Sequence, residues 1–587
     1  MRSRHLILAL VSASLIGLWG AGCRFFPRPQ QSDQVSTAEI PEGSNPDQDL
    51  SMLRLLYSRR PVTLNPHLAT GYQDFEAARI VYEPLASYDQ DGVLIPFLAA
   101  DIPTVANGGV AADGRSVTWR LRQDVQWSDG KPFTAADVVF TYEFINNPVV
   151  AAATAQNYEA IETVETVDDH TVKITFKRVN PAWSIPFTGQ SGLILPRHIF
   201  EEFNGANARS APANIQPIGV GPYKVIEFTS GKVVFGPNDQ YWDTAPAFKR
   251  VELWSGIAPY AAARSVLKTG EADFAHNLQV EASTLKELET AGQGKILTTF
   301  GSFVERIMLN PTDPNKATEE GERSSLEFPH PFLSDRTVRQ AMNLAIDRDA
   351  IAQDLYGFTG RPTAQLLVAP AIYTSQNIAY EYNLEKAAAL LENAGWRDTN
   401  NNSVRDKGGV EMQMLFQTSV NPVRQRTQEM VRDSLGAIGV AVEIKRVRGD
   451  DFFSSNPQQT QSINHFYADL QAYNTGNESP DPATYMHWWT CGEIAALSNN
   501  WQKPNNARYC NPEYDRLWET ASQELDSQKR AQLFQQMDEQ LAQDVAVIPI
   551  VHRAIANAMI NSLAGANPTP WDASTWDIKN WRRTESP

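Results

Sequence analysis

The stretch T-W-R-L-R-Q-D-V-Q-W-S-D-G-K-P-F-T-A-A-D-V-V-F-T-Y-E, residues 118–143, spells a strand, a turn and a helix in succession. With Ser116 and Val117 in front, apolar Val117, Trp119 and Leu121 alternate with polar Thr118, Arg120 and Arg122, the period of a half-buried strand. Asp129-Gly130 supplies turn chemistry. Thr134, with Asp137 three residues on, then reads as a capping box opening the helix A-A-D-V-V-F-T-Y-E-F-I. Working outward, T-V-K-I-T-F-K at 171–177 alternates as a second strand, and L-R-L-L-Y at 53–57 reads as a third. An amphipathic helix runs through Phe75, Ala78, Ile80 and Val81, and Asp89 to Gly92 marks a hairpin turn. G-V-G-P-Y-K-V at 219–225 leads into a strand paired with V-V-F-G-P-N-D-Q-Y-W. Beyond Arg250, helices are expected at A-R-S-V-L-K-T-G-E-A, R-T-V-R-Q-A-M-N-L-A-I-D-R-D-A-I-A-Q-D-L-Y, L-E-K-A-A-A-L-L-E-N-A-G and T-Q-E-M-V-R-D-S-L-G-A-I-G, with strands at M-Q-M-L-F-Q-T-S and A-V-E-I-K-R-V. Mixed alternation of this kind indicates an α/β or α+β architecture with open sheets.

The chain has 587 residues, several times what one hydrophobic core organises, so two or more lobes are expected. A hydrophobic fraction of 42% against 20% charged suits globular folding. The formal charge of −17 argues against nucleic acid as a partner, which would need a basic stripe. Arg2 and Arg4, an apolar run from Leu6 to Trp19, and Gly20, Ala21 and Gly22 before Cys23 form an export signal too short to span a bilayer. A cysteine after small residues resembles a bacterial lipobox, which implies cleavage before Cys23 and its lipidation; Gly20 stands where a leucine is usual, and plain export is the alternative. Residues 24–49 are rich in Pro, Gln, Ser and acid and lack any period, reading as a tether with an end-to-end distance of roughly 28 Å. Of the three cysteines, Cys491 and Cys510 remain to pair, closing a loop of about 20 residues; in an exported protein this bridge contributes about 3 kcal/mol.

Eight collinear segments between Leu53 and Trp581 resemble the extracytoplasmic solute-binding proteins of ABC importers, the peptide, dipeptide, oligopeptide and nickel-binding family (bacterial solute-binding protein family 5). They are Y-E-P-L-A-S-Y-D at 82–89, the segment 118–143, G-V-G-P-Y-K-V at 219–225, N-D-Q-Y-W-D at 238–243, L-K-T-G-E-A-D-F-A at 267–275, L-S-D-R-T-V-R-Q-A-M-N-L-A-I-D-R-D-A-I at 333–351, Y-N-L-E-K-A-A-A-L-L-E-N-A-G-W at 382–396 and N-P-E-Y-D-R-L at 511–517. The resemblance implies an α/β, periplasmic-binding-protein-like two-lobe hinge fold with an additional domain on the first lobe (cluster C type). Carried onto this chain, 1–22 would be the lipoprotein signal peptide and 23–49 the tether. Lobe one would comprise 50–82, 214–300 and 546–587, the additional domain 83–213, and lobe two 301–545. The implied function is capture of a small solute, first of all an oligopeptide, by a monomer tethered to the membrane through its N-terminal lipid, outside the cytoplasm. Delivery would be to an ABC permease and ATPase complex. A nickel chelate, an opine or an oligosaccharide is the alternative ligand, and a secreted hydrolase the alternative class.

The resemblance also points to ligand-binding residues. In T-L-N-P-H, 63–67, it implies that the backbone of Thr63, Leu64 and Asn65 runs near the ligand, where strand-like pairing would hold any peptide. Relatives carry a Gly-Trp pair and then an aspartate for the peptide amine. Here Asn474 and Thr475 replace the pair, and the acid corresponds to Asn477 or, one residue on, to Glu478. Only Glu478 could make a charge-assisted bond to an ammonium group. Tyr473 and Trp488, within an aromatic crowd that includes Tyr485, Trp489 and Trp501, would line side-chain pockets or belong to the core. Trp571, Trp576 and Trp581 would pin the C-terminus. Asp398, Asn400, Asn402 and Asp406 lie at alternate positions like a calcium loop, but Ser403 and Gly409 replace its glycine and glutamate, and an Asn-rich turn is the better reading. No HExxH, GxSxG, phosphate-loop or CxxC motif occurs, so no catalytic residue, metal or cofactor is expected.

Overall fold

The computed structural model describes residues 49–69 and 71–584. The signal peptide, Cys23 and nearly all of the tether lie outside the described residues. Strand Ser116–Arg120 pairs antiparallel with Thr171–Phe176, which pairs in turn with Ile161–Asp168. Val117, Trp119, Val172, Ile174 and Phe176 face inward and are buried, as alternation requires. Helix Ala135–Asn146 follows. The Asp137 carboxylate accepts the N–H of Thr134 at 2.9 Å, that of Arg197 at 2.9 Å and the Trp127 indole N–H at 3.3 Å, so one capping residue ties the helix start to two other segments. At the hairpin of Ala86–Tyr88 and Leu94–Pro96, the Asp89 carboxylate accepts the N–H groups of Asp91 and Val93, and Gly92 takes φ +79°.

The expected helix through Val81 ends earlier, spanning Tyr72–Ala78. Its continuation serves another purpose: the Val81 carbonyl accepts the Gly221 N–H at 2.7 Å. A Cβ on Gly219 or Gly221 would lie 2.1 or 2.7 Å from that oxygen, which is why the sequence reads G-V-G there. The expected helix over 336–356 is also broken, into Arg336–Leu344 and Arg348–Ile351 with a wider turn at Ala352–Tyr356. Asp347 caps the second piece by accepting the Ala350 N–H, and buried Arg348 donates to the carbonyls of Pro549 and Thr363.

An 11-stranded sheet organises the rest. Its order is Ala441–Val447, Gln413–Ser419, Leu470–Thr475, Gly294–Leu309, Val547–Ile560, Phe274–Ala275, Met52–Tyr57, Arg250–Ser255, Lys232–Pro237 and Tyr223–Phe228, with Gly360–Pro362 also on Val547–Ile560. Met52–Tyr57 pairs parallel with both neighbours, whereas Gly294–Leu309 and Val547–Ile560 run antiparallel to each other. The chain forms two lobes, and these two long strands cross between them. One buried cluster takes residues from 53 to 288 and from 556 to 581, including Trp119, Phe144 and Phe200, so the region 83–213 shares a continuous core with lobe one. Two other clusters take almost all their residues from 307 to 551. The expected boundary at 545/546 is displaced: Val547, Ile548, Ile550 and Val551 pack in the lobe-two cores, while Ala556, Ala558 and Met559 pack in that of lobe one. Pairing shifts register between Phe300 and Val304, at the same level of the sheet.

At the C-terminus Trp581 is fully buried against Phe274 and donates to Asp577 at 2.7 Å, while Trp576 donates to the Asn567 carbonyl. No helix among the described residues is long and apolar enough to cross a membrane.

Candidate functional site

Four stretches remote in sequence meet around a cavity of about 260 Å³: the helix Tyr72–Ala78, the turn 153–157, the segment 185–191 and the loop 476–488. The helix contributes Tyr72 and Phe75, and Tyr72 packs edge-on against Phe303 at 5.4 Å. The loop passes directly over Ser302. A Cβ on Gly476 would lie 2.2 Å from the Ser302 carbonyl oxygen, and the Ser302 hydroxyl donates to the Asn477 carbonyl at 2.5 Å. This anchoring turns the next side chain, Glu478, into the cavity.

The Glu478 carboxylate accepts a hydrogen bond from the Ser191 hydroxyl at 3.0 Å across the cavity. Its side chain is exposed on the cavity wall. The protein packed around the carboxylate pushes its pKa up, against a smaller lowering by Ser191. No Lys, Arg or His among the described residues forms an ion pair with it. The arrangement is an accessible acid, without an ion-pair partner among the described residues, open to a cation from outside the protein.

Asn477 and Trp488 also stand on the wall. The Asn477 amide is spent on the loop, donating to the carbonyls of Ser479 at 2.8 Å and Ala369 at 3.2 Å, so of the two candidate acid positions Glu478 is the one presented. Trp488 packs edge-on to Tyr485 at 5.4 Å and donates its indole N–H to Gln156 at 2.6 Å. The Tyr485 hydroxyl accepts from buried Arg306 at 2.7 Å.

Four expected ligand-binding residues lie off the cavity. Tyr473 is buried one layer behind it, where it donates to Asn506 at 2.9 Å and, with Tyr485 and Trp489, surrounds the Arg306 guanidinium at 5.1–5.8 Å. Thr63, Leu64 and Asn65 are buried in a closed turn. The Leu64 N–H donates to the Asn214 carbonyl at 2.6 Å, the Asn65 N–H to the Thr63 hydroxyl, and the Asn65 side chain caps His67. That backbone is occupied within the fold, so strand-like pairing with a ligand at Leu64 is corrected. The cavity wall begins only at Ala69. His67 instead joins regions: its ring nitrogens lie 2.8 Å from the Thr154 hydroxyl and 2.9 Å from the Leu193 carbonyl.

Tyr72, Gln156, Thr188, Gln190 and Ser191 were not singled out from sequence. They carry no motif and reach the cavity only through tertiary folding. The sulfurs of Cys491 and Cys510 are joined, closing the loop that follows Trp488. Trp501, inside that loop, stacks on His465 at 4.1 Å, away from the cavity. Among the described residues no group of three or more His, Cys, Asp and Glu could hold a metal ion. In the Asn-rich turn, Asp398 accepts the N–H groups of Asn402 and Ser403, and the Asn400 and Asn402 amides donate to Glu411.

A family model described as "Bacterial extracellular solute-binding proteins, family 5 Middle" matches residues 64–496. The chain is 26% identical over 531 residues to the oligopeptide-binding protein AppA of Bacillus subtilis (strain 168), covering 89% of each protein. It is 27% identical over 390 residues to the nickel-binding periplasmic protein of Escherichia coli (strain K12), covering 65% of this chain and 68% of that protein. Among solved structures, Bacillus subtilis AppA in complex with a nonapeptide superposes with a TM-score of 0.76 at 23% identity, covering 91% of this chain and 99% of that one. NikZ of Campylobacter jejuni in complex with Ni(L-His) gives 0.76 at 22% identity, covering 91% and 100%.

Proposed function

Because the chain belongs to the family 5 bacterial extracellular solute-binding proteins, we propose that it is the substrate-binding lipoprotein of an ABC importer, capturing short peptides between its lobes and passing them to a membrane permease and ATPase. The observation that carries this reading is Glu478, a carboxylate presented on the cavity wall with no protein cation paired to it among the described residues. A peptide α-ammonium matches it in charge and hydrogen-bonding capacity. Tyr72, Phe75, Tyr485 and Trp488 provide surfaces that tolerate many side chains. Peptide relatives support the ligand class. No chemistry is performed on the ligand; binding shifts the lobes toward closure.

Calorimetry with defined peptides and their N-acetylated counterparts tests the reading. Glu478→Gln should weaken binding several-fold to a hundredfold, using roughly 1.5–3 kcal/mol for a hydrogen bond to a charged group, and should abolish the preference for a free amine. Unchanged affinity and preference would make Glu478 a bystander. Binding of a sugar or a metal chelate, with no peptide binding, would replace the ligand class. Anchoring is tested separately: fatty-acid labelling should mark the wild-type protein and not Cys23→Ser, and Cys23→Ser should move to the soluble fraction.

A further inference from the structure

Where the two long strands cross between the lobes, three charged side chains are buried together: Glu305, Arg424 and Arg553. Arg424, on a lobe-two helix, holds both Glu305 oxygens, donating from Nε and Nη2 at 2.9 Å each. Arg553 is therefore a second cation beside a carboxylate that is already taken. Its Nη1 donates to the Asn277 side chain, next to the lobe-one core, at 2.9 Å and to the Ala554 carbonyl at 3.2 Å. Its Nε lies 3.4 Å from Glu305 and is buried without a hydrogen-bond partner. Burial lowers the Arg553 pKa, and Glu305 offsets only part of that lowering. Beside these groups is a cavity of about 10 Å³, room for about one water molecule. Leu278 and Val280 of lobe one and Tyr356 and Val423 of lobe two line it together, and Asn421 donates to Gln279 from one lobe to the other.

From this we infer that Arg553 opposes closure: bringing the lobes together strips water from its guanidinium without supplying a full partner, which biases the ligand-free protein toward an open form. Burying a cation is costly unless a carboxylate pairs with it, and Glu305 cannot pair fully with both guanidiniums. The cost depends on the lobes because both of them wall the cavity. Separating 278–280 from 356–359 admits water to Nε, whereas the arrangement described here leaves space for about one molecule. Contacts that a ligand makes with both lobes would have to exceed this cost. The bias keeps an empty receptor open to solutes, whatever their class.

Small-angle scattering of the ligand-free protein tests the inference, with the unfolding temperature as the check on folding. Because no ligand enters, the result is independent of the proposed function. Arg553→Met removes the charge and keeps an unbranched side chain. Asn277→Asp keeps the shape and places a carboxylate at Nη1, on a residue whose φ of +48° aspartate tolerates. Each should lower the radius of gyration from the wild-type value toward that calculated from the closed arrangement, a population shift toward closure. Arg553→Lys retains the charge and should keep the wild-type radius. Loss of packing alone would expand the protein rather than compact it. If Arg553→Met fails to fold, Asn277→Asp decides. An unchanged or larger radius in either folded variant overturns the inference. So does Arg553→Lys as compact as Arg553→Met, or a ligand-free wild type already as compact as the closed arrangement.

Discussion

Glu478 and His67 show how the surrounding protein turns single residues into pH-dependent ones with opposite protonation preferences. The protein packed around Glu478 raises its pKa, so it holds a proton to higher pH than an ordinary carboxyl does. An ammonium ligand requires the ionised form, and its binding releases that proton. Affinity for an amine-bearing peptide should therefore fall as pH drops through the raised pKa, and the Glu478→Gln profile should be flat over the same range in calorimetry. His67 is buried neutral, with its pKa lowered to about 4. The unfolded chain takes up the proton near the ordinary 6.5. Its contribution to stability is thus intact above that value and is lost progressively as pH falls toward 4, by roughly 3 kcal/mol in all. Urea unfolding at stepped pH should show this loss in the wild type relative to His67→Gln. The importance of His67 was not legible in T-L-N-P-H, because its partners Thr154 and Leu193 come from distant segments. Glu478 was legible as a candidate from its charge, whereas Tyr473 looked equivalent to Trp488 until the fold set one behind the wall and the other on it.

At the scale of elements, local sequence signals predicted the strand, turn and helix over 116–146, since alternation, turn and cap agree there. Asp137→Ala should then cost about 1–3 kcal/mol, because it leaves the Thr134 and Arg197 N–H groups without their acceptor. Asp137→Asn, which keeps an acceptor oxygen, should cost less in the same denaturant titration. The break after Leu344 was not legible, because the apolar period continues through it. Long-range bonds from Arg348 to Pro549 and Thr363 override that period. The bridge between Cys491 and Cys510 belongs to this scale too. Replacing both cysteines with serine should lower stability by about 3 kcal/mol, seen in calorimetry as a lower Tm. It should also weaken ligand binding, since the closed loop begins three residues after Trp488.

For the whole molecule, the route of the chain between its cores determines what can move. Among the described residues the lobes are joined through two adjacent antiparallel strands, Gly294–Leu309 and Val547–Ile560, whose pairing is interrupted between Phe300 and Val304. His552 donates to the Gly301 carbonyl at 2.7 Å across that interruption. Both crossings thus share one interruption of the pairing, a position suited to a hinge. The resemblance had implied two lobes but put the return crossing several residues early, because the apolar run from Val547 onward gives no sign of which core it enters. Contacts between the lobes include apolar packing of Ala182 and Ile185 against a lobe-two core, exposed ion pairs and hydrogen bonds beside the cavity. Arg59 with Asp450 at 3.1 Å and Arg178 with Glu519 at 2.6 Å are exposed pairs, worth about 0–1 kcal/mol each, too little to hold the lobes together alone. Ser191 with Glu478 and Gln156 with Trp488 are set on the cavity, where a ligand would add its own contacts to both sides. Closure should therefore depend on ligand. Small-angle scattering should give a larger radius of gyration for the ligand-free protein than for the peptide-saturated one, a population shift set by differential affinity for the closed state. Glu478→Gln at the same peptide concentration should scatter like the ligand-free wild type and recover the smaller radius only at several-fold to a hundredfold higher peptide. Identical profiles with and without a peptide that calorimetry shows to be bound would mean that the lobes do not close on it.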